Sequence, residues 1–209
     1  MKFKTTCAVV LTALISGVAL RNPLQAQSFV PGTIVVNAGV GLGFGGYVGY
    51  YSGASLSPVF SLTGEYGLMK LGPGTLGAGL AFGYQRASYT NNYYSYSTSE
   101  KWTTTEFGVR GTYHPDFLQS KKYDIYGIVQ LSFNHMGYSY TSTGASNTYD
   151  RRGDLGSNVR PSLLVGVRYY FTDFFGVYSE LGYDLSIIKA GLSFKFNGKG
   201  GMIPAVDGK

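Results

Sequence analysis

The chain has 209 residues, of which 31 are glycine and 19 are tyrosine, both well above ordinary usage, while only 13% are charged. Its formal net charge of +6 includes Lys2, Lys4 and Arg21, and without these three residues the charge falls to about +3, which is too small to predict a nucleic-acid partner. The length predicts a single domain.

The first segment has the organisation of a secretory signal peptide. Met1–Lys4 is short and positive, Thr5–Leu20 is apolar, and Leu24–Ala26 offers a cleavage site. The apolar run is shorter than the roughly 20 residues that a transmembrane helix needs. Cys7 is the only cysteine and precedes most of this run, so it is not a lipoprotein attachment site. The mature chain is therefore expected to hold no disulfide.

Eight later segments alternate between apolar residues and glycine or polar residues, which is the period of a β-strand. The predicted strands are Thr33–Phe44, Pro58–Met69, Thr75–Gln85, Trp102–Tyr113, Asp124–Asn134, Leu163–Phe171, Val177–Asp184 and Ile188–Phe196. The first five are close to the length of about 9–11 residues that a tilted strand needs to cross a membrane. These lengths and the alternation predict a barrel domain over residues 27–196, after a signal peptide at 1–26 and before a tail at 197–209.

The faces of these strands differ in a way that selects the environment. One face is apolar and aromatic, and the other carries full charges: Glu65, Glu106, Arg110, Arg168, Glu180 and Lys189. A soluble sheet would bury the apolar face, whereas a membrane barrel turns it toward lipid and keeps the polar face inside. We predict an all-β fold, a transmembrane antiparallel up-and-down β-barrel of eight strands. A soluble lipocalin-like barrel is the alternative, and it would place the charged face outside.

The connections alternate in length and predict the orientation of the barrel. The short ones belong at the periplasmic end: Lys70–Gly74, His114–Lys122 and Thr172–Phe175. The long ones belong outside the cell: Gly45–Ser57, Arg86–Lys101 and His135–Asn158. A tight turn at Leu185–Ser186 is the fourth outer connection. Both chain termini are then expected in the periplasm.

The last predicted strand carries a more specific motif. Lys189, Gly191, Phe194 and Phe196 follow the order polar, glycine, apolar and aromatic, which resembles the C-terminal signal by which bacterial outer-membrane barrels are recognised for assembly. The segment RYYFTDFFGVYSELGY before it looks like the closing hairpin of small Bacteroidetes outer-membrane barrels, related in plan to the OmpX and OmpW types. This resemblance implies the outer membrane of a Gram-negative bacterium, with outer-membrane lipid and the barrel-assembly machinery as partners. Such barrels usually stop at the terminal aromatic, and here residues 197–209 follow.

The motifs that could carry chemistry are weak. Gly41–Gly46 matches a dinucleotide-binding pattern, but no helical period follows it. His114 and His135 are predicted at opposite ends of the barrel and cannot share a metal. His135 faces lipid near the outer rim, where a lipid-modifying enzyme would place a histidine, yet Phe133 and Gly137 supply no nucleophile. We expect no enzymatic activity, no catalytic residue, no cofactor and no metal.

Tyrosines are concentrated in the predicted outer connections: Tyr89, Tyr93, Tyr94, Tyr96, Tyr138, Tyr140 and Tyr149. Tyrosine with Ser, Asn and Gly is a composition suited to adaptable binding surfaces. The same composition would suit strands that extend beyond the bilayer. Both interpretations stay open, and the first implies an extracellular ligand or surface partner.

The six inward charges admit two interpretations as well, a polar pore or proton path and a packed neutral plug. The interior of an eight-stranded barrel is just wide enough for side chains to fill, which favours the plug, with Arg168 and Glu180 as a candidate pair. The function expected is a structural or surface-interaction role through the outer Tyr-rich connections, without enzymatic activity. The alternative is a narrow channel for small or apolar solutes.

Overall fold

The computed structural model describes residues 28–43, 54–144 and 147–197. The predicted signal peptide and the tail beyond residue 197 lie outside the described residues. The strands are β1 (Thr33–Leu42), β2 (Ser55–Leu56), β3 (Val59–Lys70), β4 (Gly74–Asn92), β5 (Tyr96–Pro115), β6 (Tyr123–Gly144), β7 (Thr148–Tyr170), β8 (Phe175–Gly182) and β9 (Ile188–Asn197). One 3-10 turn, Asp116–Leu118, joins β5 to β6. In these ranges, no helix has the length and apolar character that crossing a membrane requires.

Eight of the strands close into a ring. Each long strand pairs antiparallel with its sequence neighbours, and β1 pairs with β9 from Thr33–Asn197 to Leu42–Ile188, which joins the two ends of the sheet. The two-residue β2 lies outside the ring and pairs with β4. The prediction of an eight-stranded up-and-down barrel is confirmed, because every long strand has two partners and the order around the ring follows the sequence.

The barrel is apolar outside and polar inside. Along β6, Val129 is 62% exposed and Leu131 is 51% exposed on the outer face, while the intervening Gln130 is 1% exposed on the inner face. The same reversal holds for the described strands in general, whose largest exposed side chains are leucine, valine, phenylalanine and tyrosine. A soluble barrel has the opposite distribution, so the lipocalin-like alternative is wrong. The outer face fits contact with lipid.

Two of the predicted outer loops are largely strand. β4 and β5 stay paired up to Asn92 and Ser97, and β6 and β7 stay paired up to Thr143 and Thr148. The predicted loops Arg86–Lys101 and His135–Asn158 are therefore wrong in their bounds. Their residues are mostly Ser, Thr, Tyr and Asn on both faces, so the alternation of apolar and polar residues, which is the main sequence indication of a strand, is lost there.

The segment before β1 closes one end of the barrel, which the sequence analysis did not predict. Phe29 is 1% exposed and stacks on the His114 ring, with the ring centroids 3.8 Å apart. The Phe29 backbone N–H donates to Gln119 Oε1 at 3.1 Å, and Ser28 Oγ donates to the Tyr123 carbonyl at 3.2 Å. The Phe29 side chain thus closes the end of the barrel where the short connections lie.

Inward glycines provide the space that the lumenal side chains fill. A Cβ atom at Gly166 would overlap the Tyr126 ring, whereas a Cβ atom at the lipid-facing Gly111 would meet nothing within 4 Å. Tyr126 cannot move aside cheaply, because the Arg168 guanidinium lies 4.0 Å over its ring. The inner glycines are therefore part of the packing of the lumen.

Gly166→Ala should destabilise the barrel by about 1–3 kcal/mol, the usual cost of overpacking an interior. Gly111→Ala is the matched control and should change stability by no more than about 0.5 kcal/mol. The urea midpoint of the refolded protein in detergent measures both. Equal losses in the two variants would mean that the lumen is not packed at Gly166.

The charged lumen and the outer histidine

The structure places all six predicted inward charges inside the barrel, and none is more than 4% exposed: Glu65, Glu106, Arg110, Arg168, Glu180 and Lys189. Two further carboxylates lie with them, Asp124 and Asp184, which are 0% and 6% exposed. Asp124 has the inward parity of β6, and Asp184 continues the inward parity of β8 two residues past its end; neither was among the predicted lumenal charges. Lys195 is also buried, with its Nζ 4.2 Å from the Tyr170 ring centroid.

Arg168 is the centre of a cluster of charged side chains at the end of the lumen nearer Phe29. Its Nη2 lies 2.5 Å from Glu65 Oε1, and its Nη1 donates to Asp124 Oδ2 at 3.1 Å. Asp124 also contacts His114 Nδ1 at 2.9 Å, and the other ring nitrogen lies 3.0 Å from Thr112 Oγ1. A fully buried guanidinium that bridges two carboxylates is strongly held, because every charged group has a partner of opposite sign.

His114 was predicted in the short connection His114–Lys122, and that placement is wrong. The residue is the next to last of β5, and its side chain is 0% exposed inside the lumen. The inward parity of Arg110 and Thr112 continues for two more residues before the strand ends. The ring lies between Phe29 and Tyr126, with centroids at 3.8 and 5.0 Å.

A second cluster lies around Glu180. Arg110 Nη2 donates to Glu180 Oε1 at 2.8 Å, and the Tyr126 hydroxyl donates to the same oxygen at 3.1 Å. Lys189 Nζ lies 4.0 Å from Glu180 Oε2 and donates to Asp184 Oδ2 at 2.5 Å. Two cationic side chains therefore lie beside the Glu180 carboxylate, Arg110 at Oε1 and Lys189 near Oε2.

The candidate pair Arg168–Glu180 is not an ion pair in the structure. Arg168 contacts Glu65 and Asp124, and Glu180 contacts Arg110. Strand parity predicts which residues face inward, but pairs across the lumen depend on the stagger between distant strands. That stagger leaves no local mark in the sequence.

The assembly motif has three different environments. Lys189 points into the lumen, and Gly191 packs so closely on β1 that a Cβ atom there would overlap the Ala38 carbonyl. Phe194 and Phe196 face outward, with ring centroids 6.1 and 6.4 Å from that of Phe174. A role of this strand in assembly stays a prediction.

The expectation that no nucleophile lies beside His135 on the outer face of the barrel is wrong. Ser157 pairs with His135 across β6 and β7, and its Oγ is 3.0 Å from His135 Nδ1. Asp154 Oδ1 lies 3.5 Å from His135 Nε2. The residues of β6 alone do not indicate Ser157, because it comes from the neighbouring strand β7. Within the described ranges, no group of three or more His, Cys, Asp or Glu side chains could hold a metal ion.

Comparison with known proteins adds distant likenesses. No protein-family model matches the sequence, and no curated protein matches it. Among solved structures, the N-terminal β-barrel domain of Pseudomonas aeruginosa OprF is 14% identical, with a TM-score of 0.42, over 79% of this chain and 98% of that one. The attachment invasion locus protein Ail of Yersinia pestis is 11% identical, with a TM-score of 0.42, over 80% and 100%. The translocator domain of the autotransporter NalP from Neisseria meningitidis is 10% identical, with a TM-score of 0.34, over 92% and 94%.

Arg110→Met alone should destabilise the barrel by about 3–5 kcal/mol, because it leaves the Glu180 carboxylate buried with too little positive charge. Adding Glu180→Gln should recover part of that loss, since the pair is then removed together. The double-mutant cycle is read from urea midpoints in detergent. The control combines Arg168→Met with Glu180→Gln, which should show a smaller coupling. A larger coupling for the control pair would contradict the assigned contacts.

Proposed function

We propose that this protein is an integral outer-membrane β-barrel of a Gram-negative bacterium whose role is to present an extended sheet outside the cell for contact with another molecule. The support for its place in a membrane is the apolar outer face around a charged interior. The support for its orientation is the alternation of short connections at one end with long hairpins at the other. In this orientation both termini lie in the periplasm.

The observation that carries the surface role is the sheet formed by the outer parts of β4, β5, β6 and β7. β8 pairs with β7 only from Leu164 to Tyr170, so the residues 148–162 of β7 form an edge with no described strand on its other side. An unpaired edge is a ready template for an additional strand, and charged residues protect it from indiscriminate pairing. Here Asp150, Arg151 and Arg152 are such residues.

The tyrosines of this sheet divide into two groups. Tyr93, Tyr94, Tyr96 and Tyr149 are at least 44% exposed near the hairpin tips, which suits a contact surface. Tyr89 and Tyr138 instead pack beside Trp102 and Ala87, and Tyr140, two residues further along β6, is half-buried. The first group supports an extracellular partner and the second supports the extension of the strands.

The alternative function is a narrow channel, and one observation favours it. Several buried polar atoms in the lumen have no hydrogen-bond partner within the protein, among them both side-chain heteroatoms of Asn134 and the Oε1 atom of Gln130. Such atoms call for water. The closure of one end by Phe29 and the ion pairs of Arg110 and Arg168 weigh against a continuous water path through the barrel.

The orientation is tested with single cysteines in the mature chain. Cysteine at Tyr93 or Tyr149 should react with an impermeant reagent on intact cells, whereas cysteine at Asp116 should react only after the outer membrane is opened. These positions lie at opposite ends of the barrel, and Asp116 lies in the 3-10 turn beside Lys70. Labelling of intact cells at position 116 and not at position 93 would reverse the proposed orientation.

A further inference from the structure

His135, Ser157 and Asp154 form a Ser–His–Asp arrangement on the lipid-facing side of the barrel. Ser157 Oγ lies 3.0 Å from His135 Nδ1, and Asp154 Oδ1 lies 3.5 Å from His135 Nε2. With the ring proton on Nε2, the imidazole can accept from the serine hydroxyl through Nδ1, and the protonated nitrogen is the one nearer the carboxylate. This is the order of roles in which a base activates a serine and a carboxylate orients the base.

The backbone beside these residues departs from regular β-strand geometry. The register between β6 and β7 shifts at Met136 and Gly137, and Gly156 has a φ of +99°, in the left-handed region. The Gly156 backbone N–H donates to Asp154 Oδ1 at 3.4 Å, which helps to aim the carboxylate. Bulges of this kind re-aim side chains and are frequent beside active sites.

The arrangement lies at the level where a lipid changes from acyl chain to headgroup. His135 and Ser157 share a row of the sheet with Thr105 and Tyr84. The next row toward the barrel middle is apolar and contains Phe82, Phe107, Phe133 and Val159, and the next row outward contains Arg86, Thr103 and Asp154. An amphipathic tyrosine between an apolar and a charged row marks the membrane interface.

An apolar groove begins directly below the serine and the histidine. Its volume is about 350 Å³, and its walls include Phe133, Val159, Leu131 and Phe107. Phe133 and Val159 are the residues two positions from His135 and Ser157 on the same face. Two residues of a strand span about 7 Å, so an acyl chain in the groove would bring its ester carbonyl to the serine.

We propose that Ser157, His135 and Asp154 hydrolyse an acyl ester of a membrane lipid at the outer interface, an activity beyond surface display. Ser157 Oγ attacks the ester carbonyl carbon while His135 takes the hydroxyl proton. The tetrahedral oxyanion collapses, the lipid alcohol leaves with the proton that His135 returns, and an acyl-serine remains. Water, activated by His135, then adds to the acyl-serine, and the fatty acid leaves as the serine recovers its proton.

The role of each of the three residues follows from its chemistry and from the atoms that it contacts. Ser157 is the catalytic nucleophile, because it alone of the three bears a hydroxyl. His135 is the catalytic base. Asp154 is a positioning residue that acts through His135, and its longer distance in the free protein is expected to shorten when substrate excludes water. All three side chains are at least partly exposed, so their replacement should leave the barrel folded.

The test uses the refolded mature barrel mixed with phosphatidylethanolamine vesicles, and released fatty acid is measured by mass spectrometry. Wild-type protein should release fatty acid, and Ser157→Ala and His135→Asn should each reduce the rate by at least about 100-fold. Asp154→Asn should reduce it less. A fluorophosphonate probe should add to Ser157, as seen in the mass of the peptide that contains it, and Ser157→Ala should abolish the adduct.

Ser139→Ala is the matched control, because Ser139 is an outward-facing serine of β6 that lies beside Arg152 rather than His135. It should keep the full rate and the adduct. Absence of both fatty-acid release and the adduct in folded wild-type protein would overturn the proposal, as would a rate that Ser157→Ala leaves unchanged. Cleavage of a soluble p-nitrophenyl acetate without cleavage of lipid would overturn the assignment of a membrane lipid as substrate. None of these outcomes bears on the orientation of the hairpins.

Discussion

Charge pairing inside a narrow barrel is the constraint on which the rest of this structure depends. The described lumen holds five buried carboxylates and four buried cationic side chains, together with His114, in a space that eight strands barely leave open. Each charge is costly unless it has a partner. The register must therefore bring Arg110 to Glu180 and Arg168 to Glu65, and inward glycines such as Gly166 must leave the space. The apolar outer face follows from the same alternation, because a strand that turns charges inward turns its other side chains toward lipid.

The fold could be predicted from the sequence because the period of a strand is two. The parity of Glu65, Glu106 and Arg168 places each on the inner face whatever the stagger of the barrel. Contacts between strands could not be predicted in the same way. Asp124 and Asp184 needed only parity and were overlooked as charges, but the partner of Arg168 depends on how far distant strands are shifted. The same reason hid Ser157 beside His135, since the two residues meet only through the pairing of β6 and β7.

The ends of the strands were harder to predict than their middles. The outer parts of β4 to β7 carry mostly Ser, Thr, Tyr and Asn on both faces, so the alternation fades and the pattern resembles a loop. The segment around Phe29 shows the opposite difficulty, because a single aromatic residue before the first strand carries no period at all. Its burial comes from a space that Gly67 and Gly77 leave at the end of the barrel. The end of the barrel beside Phe29 is therefore closed by packing between side chains.

The claim that the lumen is a packed plug is tested most directly by the ion conductance of the refolded mature chain in a planar lipid bilayer. Because Arg110, Arg168 and Lys189 are paired with carboxylates and Phe29 closes one end of the barrel, we expect no stepwise current above that of the bare bilayer, in dilute or concentrated salt. Steady single-channel steps would contradict it. If those steps changed in size or ion selectivity on replacing Arg110 or Glu180, the lumen would be a hydrated pore and the channel function would take the place of the plug.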